Sequence, residues 1–203
     1  MSQYSKSLDW VSKHYFLTFE AYSTSTAQSI TTDIAMIIGY AMAARSVKAF
    51  DVYLNYYRKC SGLKLDSDVL EALIVSICHV KSRKLEAAIN GRFLPTKTLN
   101  SEVVVQMLFS HITESDLIPS AFLFATVIYY HAILRNDIQT SKNYYETSKE
   151  HYYSNSIIEE ISNYCFSDFE IRGRTANRRA KNILNPTRFW DCLVKRRPDC
   201  EID

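Results

Sequence analysis

The sequence predicts an all-α protein built from stacked helical hairpins. Only four Gly and four Pro occur in 203 residues, and long helices need few of either residue, since an interior Pro removes a backbone hydrogen bond. Apolar residues recur at the three- and four-residue steps of a helix face, and these stripes themselves repeat every 34 to 36 residues. We therefore expect a right-handed α-solenoid of about three to four hairpins, followed by a basic helical tail at the C-terminal end.

The first hairpin is defined by two apolar stripes separated by a short turn. The turn is expected at Ala44-Arg45-Ser46. Polar Asp51 and Asn55 fall on the side of the second helix opposite its apolar stripe. The two helices are therefore predicted to form an amphipathic hairpin. The first stripe is Ile34, Ile37, Ile38, Ala41 and Met42, and the second is Ala49, Val52, Tyr53, Tyr56 and Tyr57.

The same pattern returns further along the chain. A shift of 36 residues keeps eight positions apolar, and a further shift of 34 keeps four of five apolar, with His111 as the exception. A helix over residues 119–134 completes the third hairpin, and a fourth hairpin begins near Asp137 in a phase that the spacing leaves open. The second set is Leu70, Leu73, Ile74, Ile77, Cys78, Leu85, Ala88 and Ile89, and the third is Val104, Met107, Leu108, His111 and Ile112.

These patterns divide the chain into three segments. Residues 1–30 are predicted to form an N-terminal helix or cap, residues 31–165 the repeat domain, and residues 166–203 the basic helical tail. The uncharged run at residues 117–134 is long enough to raise the question of a membrane span, but its polar residues favour a buried central helix. Five cysteines without a paired spacing indicate reduced thiols and an intracellular protein.

One stretch of the chain resembles a pentatricopeptide repeat. The residues that carry the resemblance are those from Thr31 to Tyr40, those from Arg45 to Tyr53, and the closing Gly62-Leu63-Lys64-Leu65-Asp66. A second unit is similar at Ala72-Leu73-Ile74 and from Ser82 to Ala88. The tetratricopeptide family, which has hairpins of similar length and binds proteins, is the rival.

The resemblance implies binding of single-stranded RNA, in mitochondria or chloroplasts for most members of the family. Each repeat of that family reads one base with a residue early in its first helix and another at its last position. The matching positions are Ile34 with Asp66, and Glu71 in the second unit. Because Ile34 cannot hydrogen-bond a base edge and Glu71 would repel phosphates, the better expectation for this chain is binding by shape and charge, or a purely structural role.

Net positive charge is concentrated in one segment near the C-terminal end of the sequence. Residues 171–197 contain nine basic residues against the single acid Asp191, while the rest of the chain is net acidic. Thr175 is predicted to cap one helix, and Pro186 to begin a last helix. The nine basic residues, which are the predicted nucleic-acid-binding residues, are Arg172, Arg174, Arg178, Arg179, Lys181, Arg188, Lys195, Arg196 and Arg197.

Three interpretations of this segment remain open. It can bind nucleic-acid phosphates, it can cap the solenoid with its arginine stems lying over apolar surface, or it can bind an acidic protein partner. These interpretations are compatible, because a docked helix can still present its outer arginines.

The sequence offers no catalytic group, metal site or cofactor motif that we can defend. The histidines are scattered, and His111 is expected to be half-buried with one hydrogen bond. Glu159 and Glu160 are expected to form a solvated face or an acidic lead-in to the basic tail. Tyr53, Tyr56 and Tyr57 are expected as core residues between repeats. We therefore predict a non-enzymatic helical-repeat protein that binds single-stranded or structured RNA, or a ribonucleoprotein subunit within a larger assembly. The alternative is a tetratricopeptide-type scaffold for protein partners.

Overall fold

A computed structural model of the chain describes residues 25–59, 66–79, 101–167 and 173–195. Throughout these ranges the regular structure is helical and no strand occurs, so the prediction of an all-α fold is confirmed. The chain forms two compact units, residues 1–115 and residues 116–203, and each is described here by itself.

The first unit contains four described helices that pack in a regular order. Helix α1 packs against both α2 and α3, α2 also contacts α3, and α3 packs against α4. Each helix after the first therefore adds its apolar face to the surface of its predecessors. The helices are α1 (Ser25–Met42), α2 (Ser46–Lys59), α3 (Ser67–Cys78) and α4 (Ser101–Glu114).

The predicted turn between α1 and α2 is confirmed. The Arg45 amide donates to the carbonyl of Tyr40 at 2.8 Å, and the Ala44 amide donates to that of Ala41 at 3.0 Å. This pair of bonds is the Schellman arrangement, which satisfies the last carbonyls of a helix and needs a left-handed residue between them. Ala44 is that residue, with φ of 54°.

Most residues of the apolar stripes predicted for the first unit lie in its core, while Ile34, Met42, Val52 and Met107 are half-buried. Ile37, Ile38 and Tyr53 are buried, and every residue from Val69 to Cys78 in α3 is buried. The prediction for Tyr57 is wrong, because this side chain is 54% exposed. The second helix of the second repeat, predicted around Leu85, Ala88 and Ile89, lies outside the described residues.

The second unit begins with a buried helix and ends with the two basic helices. Three of its helices start with a side-chain cap, in which Ser120, Asp137 or Asn155 accepts from a backbone amide of the first turn. Its elements are α5 (Ala121–Tyr129), a π-helical turn (Tyr130–Leu134), α6 (Ile138–His151), α7 (Ser156–Phe166), α8 (Arg174–Ile183) and α9 (Pro186–Lys195).

Helix α5 is the centre of this unit. Residues 122–128 are all buried, and α5 packs against α6 and α7. The buried helix predicted for this apolar run is therefore confirmed, although it continues into the π-helical turn rather than as one regular helix. Across the described ranges, none of the helices has the length and apolar character needed to cross a membrane.

The predicted segment boundaries at residues 31 and 166 remain predictions. Helix α1 begins at Ser25, within the segment predicted as an N-terminal cap. The compact units divide between Ser115 and Asp116. Helices α8 and α9, predicted as a tail, belong to the same unit as α5, α6 and α7.

Candidate nucleic-acid interface

Helix α8 is docked on α7 by one narrow face. Ala180 and Leu184 are buried, and α8 contacts α7 along this side. The helix starts at Arg174, preceded by Gly173 at the N-cap position. The prediction that Thr175 caps the helix is therefore wrong, since Thr175 lies inside the first turn.

Helix α9 anchors the end of the basic segment. Its buried face consists of Phe189, Trp190 and Leu193. The Phe189 ring stacks on Phe122 of α5, with centroids 5.5 Å apart. Pro186 occupies the first helical position, as predicted. The basic residues are thus carried on packed helices whose backbone is fixed by the core of the second unit.

One arginine of the segment pairs with the neighbouring helix, although its side chain is 72% exposed. The Arg179 Nη2 atom donates to Glu160 Oε2 of α7 at 3.0 Å, and Arg179 Nε pairs with the other carboxylate oxygen. This two-pronged geometry gives a guanidinium–carboxylate pair its directional specificity. Arg179 therefore links α8 to α7. Of the two acids, Glu159 is exposed, whereas Glu160 is half-buried and contacts the basic segment.

Three other cations of α8 share a different face of the helix. Arg174, Arg178 and Lys181 follow one another at steps of four and three residues, which places them in one row on the helix surface. All three are exposed. None of them makes an ion pair with any residue in the described ranges. We call these three residues the basic stripe.

The remaining predicted residues are arranged differently. Arg188 is exposed on α9 and lies one helical turn from the exposed acid Asp191. Lys195 is the last residue of α9. Arg172, Arg196 and Arg197 lie outside the described residues. The structure thus brings three of the nine predicted residues together in a row that carries only positive charge.

The base-reading positions implied by the family resemblance do not form a matched set. Asp66 is exposed and Ile34 is half-buried. Glu71 is only 5% exposed within α3, so its carboxylate cannot face a nucleic acid. Reading of one base per repeat by these residues is therefore not supported by their positions.

Two buried titratable groups lie away from the basic stripe. His131 is 0% exposed and its ring stacks on Tyr144 at 5.2 Å. Burial lowers the pKa of His131 to about 4, with Asp137 opposing and Arg135 reinforcing that shift. Burial also raises the pKa of Tyr53 far above its usual range. Both groups stay neutral at pH 7 and contribute to packing.

The basic stripe could have been found in the sequence, whereas the Arg179–Glu160 pair could not. Steps of four and three between like charges predict one row on a helix, and that spacing is present in Arg174, Arg178 and Lys181. The pairing of Glu160 with Arg179 joins two helices and follows no local spacing. The pairing depends on how α8 packs against α7 in the folded protein.

Comparison of the chain with models of known protein families, with curated proteins and with solved structures returns no match. The described fold and site define an all-α protein with a docked helix that presents a basic stripe, for which the described residues supply no acidic partner. The resemblance to pentatricopeptide repeats stays a prediction made from the residues.

Proposed function

We propose that this protein is a non-enzymatic helical-repeat RNA-binding protein, or a ribonucleoprotein subunit, that contacts phosphates through the basic stripe. The observation that carries the proposal is the row formed by Arg174, Arg178 and Lys181 on a docked helix. Three exposed cations in one row, without a described acidic partner, match a polyanion that presents a charge at each step of its backbone.

The electrostatics of the stripe favour a polyanionic ligand. Like charges three or four residues apart repel one another and destabilise a helix by about 0.2–0.5 kcal/mol per pair. A row of phosphates replaces that repulsion with attraction and releases counterions. Because α8 is held by Ala180, Leu184 and the Arg179–Glu160 pair, it presents the stripe in a fixed orientation. A prearranged helix loses little conformational entropy on binding.

The packing of the first unit supports the solenoid part of the proposal. Helix α1 contacts α3, and α3 contacts α4, while α2 lies against both α1 and α3. This order is expected when the first helices of successive hairpins stack in a row. The repeats then serve as the platform that carries the RNA-binding surface.

The rival function is a protein-interaction scaffold of the tetratricopeptide type. The observation that favours it is the burial of Glu71, which leaves the second repeat without a base-reading group at the position implied by the family. In that case the basic stripe binds an acidic segment of a partner protein.

A titration of fluorescent single-stranded RNA tests the proposal and separates these functions. Arg178→Gln/Lys181→Gln removes two charges of the stripe. Lys48→Gln/Lys142→Gln removes two exposed charges outside α8 as a matched control, and neither of these lysines makes an ion pair in the described ranges. We expect a roughly tenfold or greater loss of affinity at low salt for the stripe variant only. Equal binding by both variants, or no binding by the wild-type chain at low salt, contradicts the proposal.

A further inference from the structure

A second feature that faces solvent lies in the first unit and consists of aromatic rings. Phe50 stacks on Tyr53 with centroids 5.8 Å apart, Tyr53 contacts Tyr57 at 6.1 Å, and Tyr57 stacks on His111 at 5.7 Å. The series runs from the buried Phe50 and Tyr53 to the half-exposed Tyr57. We call Tyr57 and His111 the aromatic platform.

The platform is held in place by a hydrogen bond beneath it. The Tyr53 hydroxyl lies 3.0 Å from Nδ1 of His111, and Tyr53 is 2% exposed. The sequence-based expectation that His111 is half-buried with one hydrogen bond is thereby confirmed. The hydrogen bond with Tyr53 holds the His111 ring in place, and the His111 ring in turn positions the Tyr57 ring that stacks on it.

The outer side of Tyr57 is open to solvent. The two platform rings are nearly parallel, at 13°, so one face of the Tyr57 ring lies against His111. With 54% of Tyr57 exposed, this residue also offers surface that a ligand can reach. Exposure alone is ordinary for a tyrosine, but Tyr57 combines exposure with a stack on His111. A ring that is both exposed and held in place is suited to recognition of a flat ligand.

The geometry distinguishes between the ligands that an aromatic surface can take. A cage for a cationic ligand needs several rings set at angles around a space, whereas parallel rings extend naturally into a longer stack. A nucleobase is a flat ring of the kind that extends such a stack, and parallel stacking is how an aromatic side chain holds an unpaired base.

We propose that a base of single-stranded nucleic acid stacks on the exposed face of Tyr57. This inference rests on the proposed function, because it assigns the form of nucleic acid that the protein prefers. Bases in a duplex already stack on their neighbours, while unpaired bases are free to stack on an aromatic side chain. The aromatic platform therefore adds preference for single strands to the charge attraction of the basic stripe.

The test compares three substitutions at Tyr57 with one control in the full chain. Tyr57→Ala removes the ring, Tyr57→Leu keeps apolar bulk without an aromatic face, and Tyr57→Phe keeps the ring. Tyr153→Ala is the matched control, because Tyr153 is fully exposed and no described residue stacks on it. The probes are a fluorescent single-stranded RNA of about 12 nucleotides and the duplex of the same sequence. Far-UV circular dichroism confirms that each variant is folded.

Base stacking on Tyr57 should contribute to single-strand binding and not to duplex binding. Tyr57→Ala and Tyr57→Leu should each weaken single-strand binding by about fivefold or more, with duplex binding unchanged. Tyr57→Phe and Tyr153→Ala should bind as the wild type does. The inference is overturned if Tyr57→Leu binds as well as Tyr57→Phe, or if single-strand and duplex binding fall together. Loss of RNA binding in the stripe variants without any effect at Tyr57 leaves the proposed function standing and removes only this inference. A wild-type chain that binds neither probe removes both.

Discussion

Arg179 of α8 and Glu160 of α7 form a two-pronged ion pair, although 19 residues separate them in the sequence. This pair divides the basic residues of α8 into two groups with different roles. Arg179 pairs with α7 although its side chain is 72% exposed, while Arg174, Arg178 and Lys181 form a separate exposed row. Docking on α7 and presentation of charge thus occur on the same helix.

Neutralising the acid of this pair should release Arg179 for ligand binding. Glu160→Gln removes a carboxylate that is about one-third exposed, so we expect the free energy of unfolding to fall by no more than about 1 kcal/mol. We expect affinity for single-stranded RNA to rise, and the slope of log K against log salt to steepen by about 0.7 as one more cation reaches phosphate. Fluorescence anisotropy at several salt concentrations measures both quantities.

A neighbouring acid provides the control for this prediction. Glu159→Gln makes the same change in charge, but Glu159 accepts a hydrogen bond from Ser154 and does not contact Arg179 in the described structure. An identical gain of affinity in both variants would show that net charge, rather than release of Arg179, is responsible.

The buried His131 should make the second unit sensitive to acid. The pKa of His131 is about 4 in the folded protein, against 6.5 as its usual value, so the unfolded chain binds the proton first as the pH falls. The free energy of unfolding keeps its full value above about pH 6.5 and falls progressively as the pH drops towards 4. The loss is about 2 kcal/mol at pH 5. Urea unfolding at pH 7 and pH 5 measures this difference.

A variant without the titrating ring isolates the effect of His131 from that of the other histidines. His131→Phe keeps a ring next to Tyr144, and the wild type should lose about 2 kcal/mol more than this variant between the two pH values. Equal losses would mean that His131 is not the group responsible.

The turn between α1 and α2 stores backbone strain at Ala44. Its φ of 54° lies in the left-handed region, which costs an L-residue with a Cβ roughly 1 kcal/mol and suits glycine. We expect Ala44→Gly to raise the free energy of unfolding by about 0.5–1 kcal/mol, despite the greater freedom of glycine in the unfolded chain. Chemical denaturation checks the sign, and a loss of stability would contradict the assigned turn.

A buried hydrogen bond joins the first hairpin to the next helix. The Ser46 hydroxyl donates to the backbone carbonyl of Ser76 at 2.9 Å. We expect Ser46→Ala to lower the free energy of unfolding by about 1–2 kcal/mol, because a buried acceptor loses its donor. Ser110→Ala, on the exposed side of α4, should change it by less than about 0.5 kcal/mol. Similar effects from the two substitutions would argue against the packing of α2 on α3.

Helix positions and core faces could be predicted from the sequence because they depend on local spacing. The stripe through Ile37 and Ile38 in α1, the turn at Ala44, and Pro186 at the start of α9 are all found in the structure. Each follows from a rule that operates within a few residues, either helical periodicity or capping. The solenoid itself remains a proposal, since it concerns the arrangement of many helices.

The features that the sequence did not predict depend on contacts between distant residues. The exposure of Tyr57 is decided by how α2 meets α4, where His111 stacks on the ring. The role of Glu160 is decided by how α8 docks on α7. The π-helical turn at Tyr130–Leu134 changes helical phase inside an apolar run whose composition suits a regular helix equally well. In each case the structure depends on more than the spacing of apolar and polar residues along one helix.

The central claim is that the basic stripe contacts nucleic-acid phosphates, and salt dependence tests it most directly. The measurement is the slope of log K against log salt for single-stranded RNA, with the wild-type chain and with Arg174→Gln/Arg178→Gln/Lys181→Gln. Each phosphate contact to a single strand contributes about −0.7 to that slope. The account predicts a slope that is shallower by about 2 in the triple variant, and an unchanged slope would contradict it.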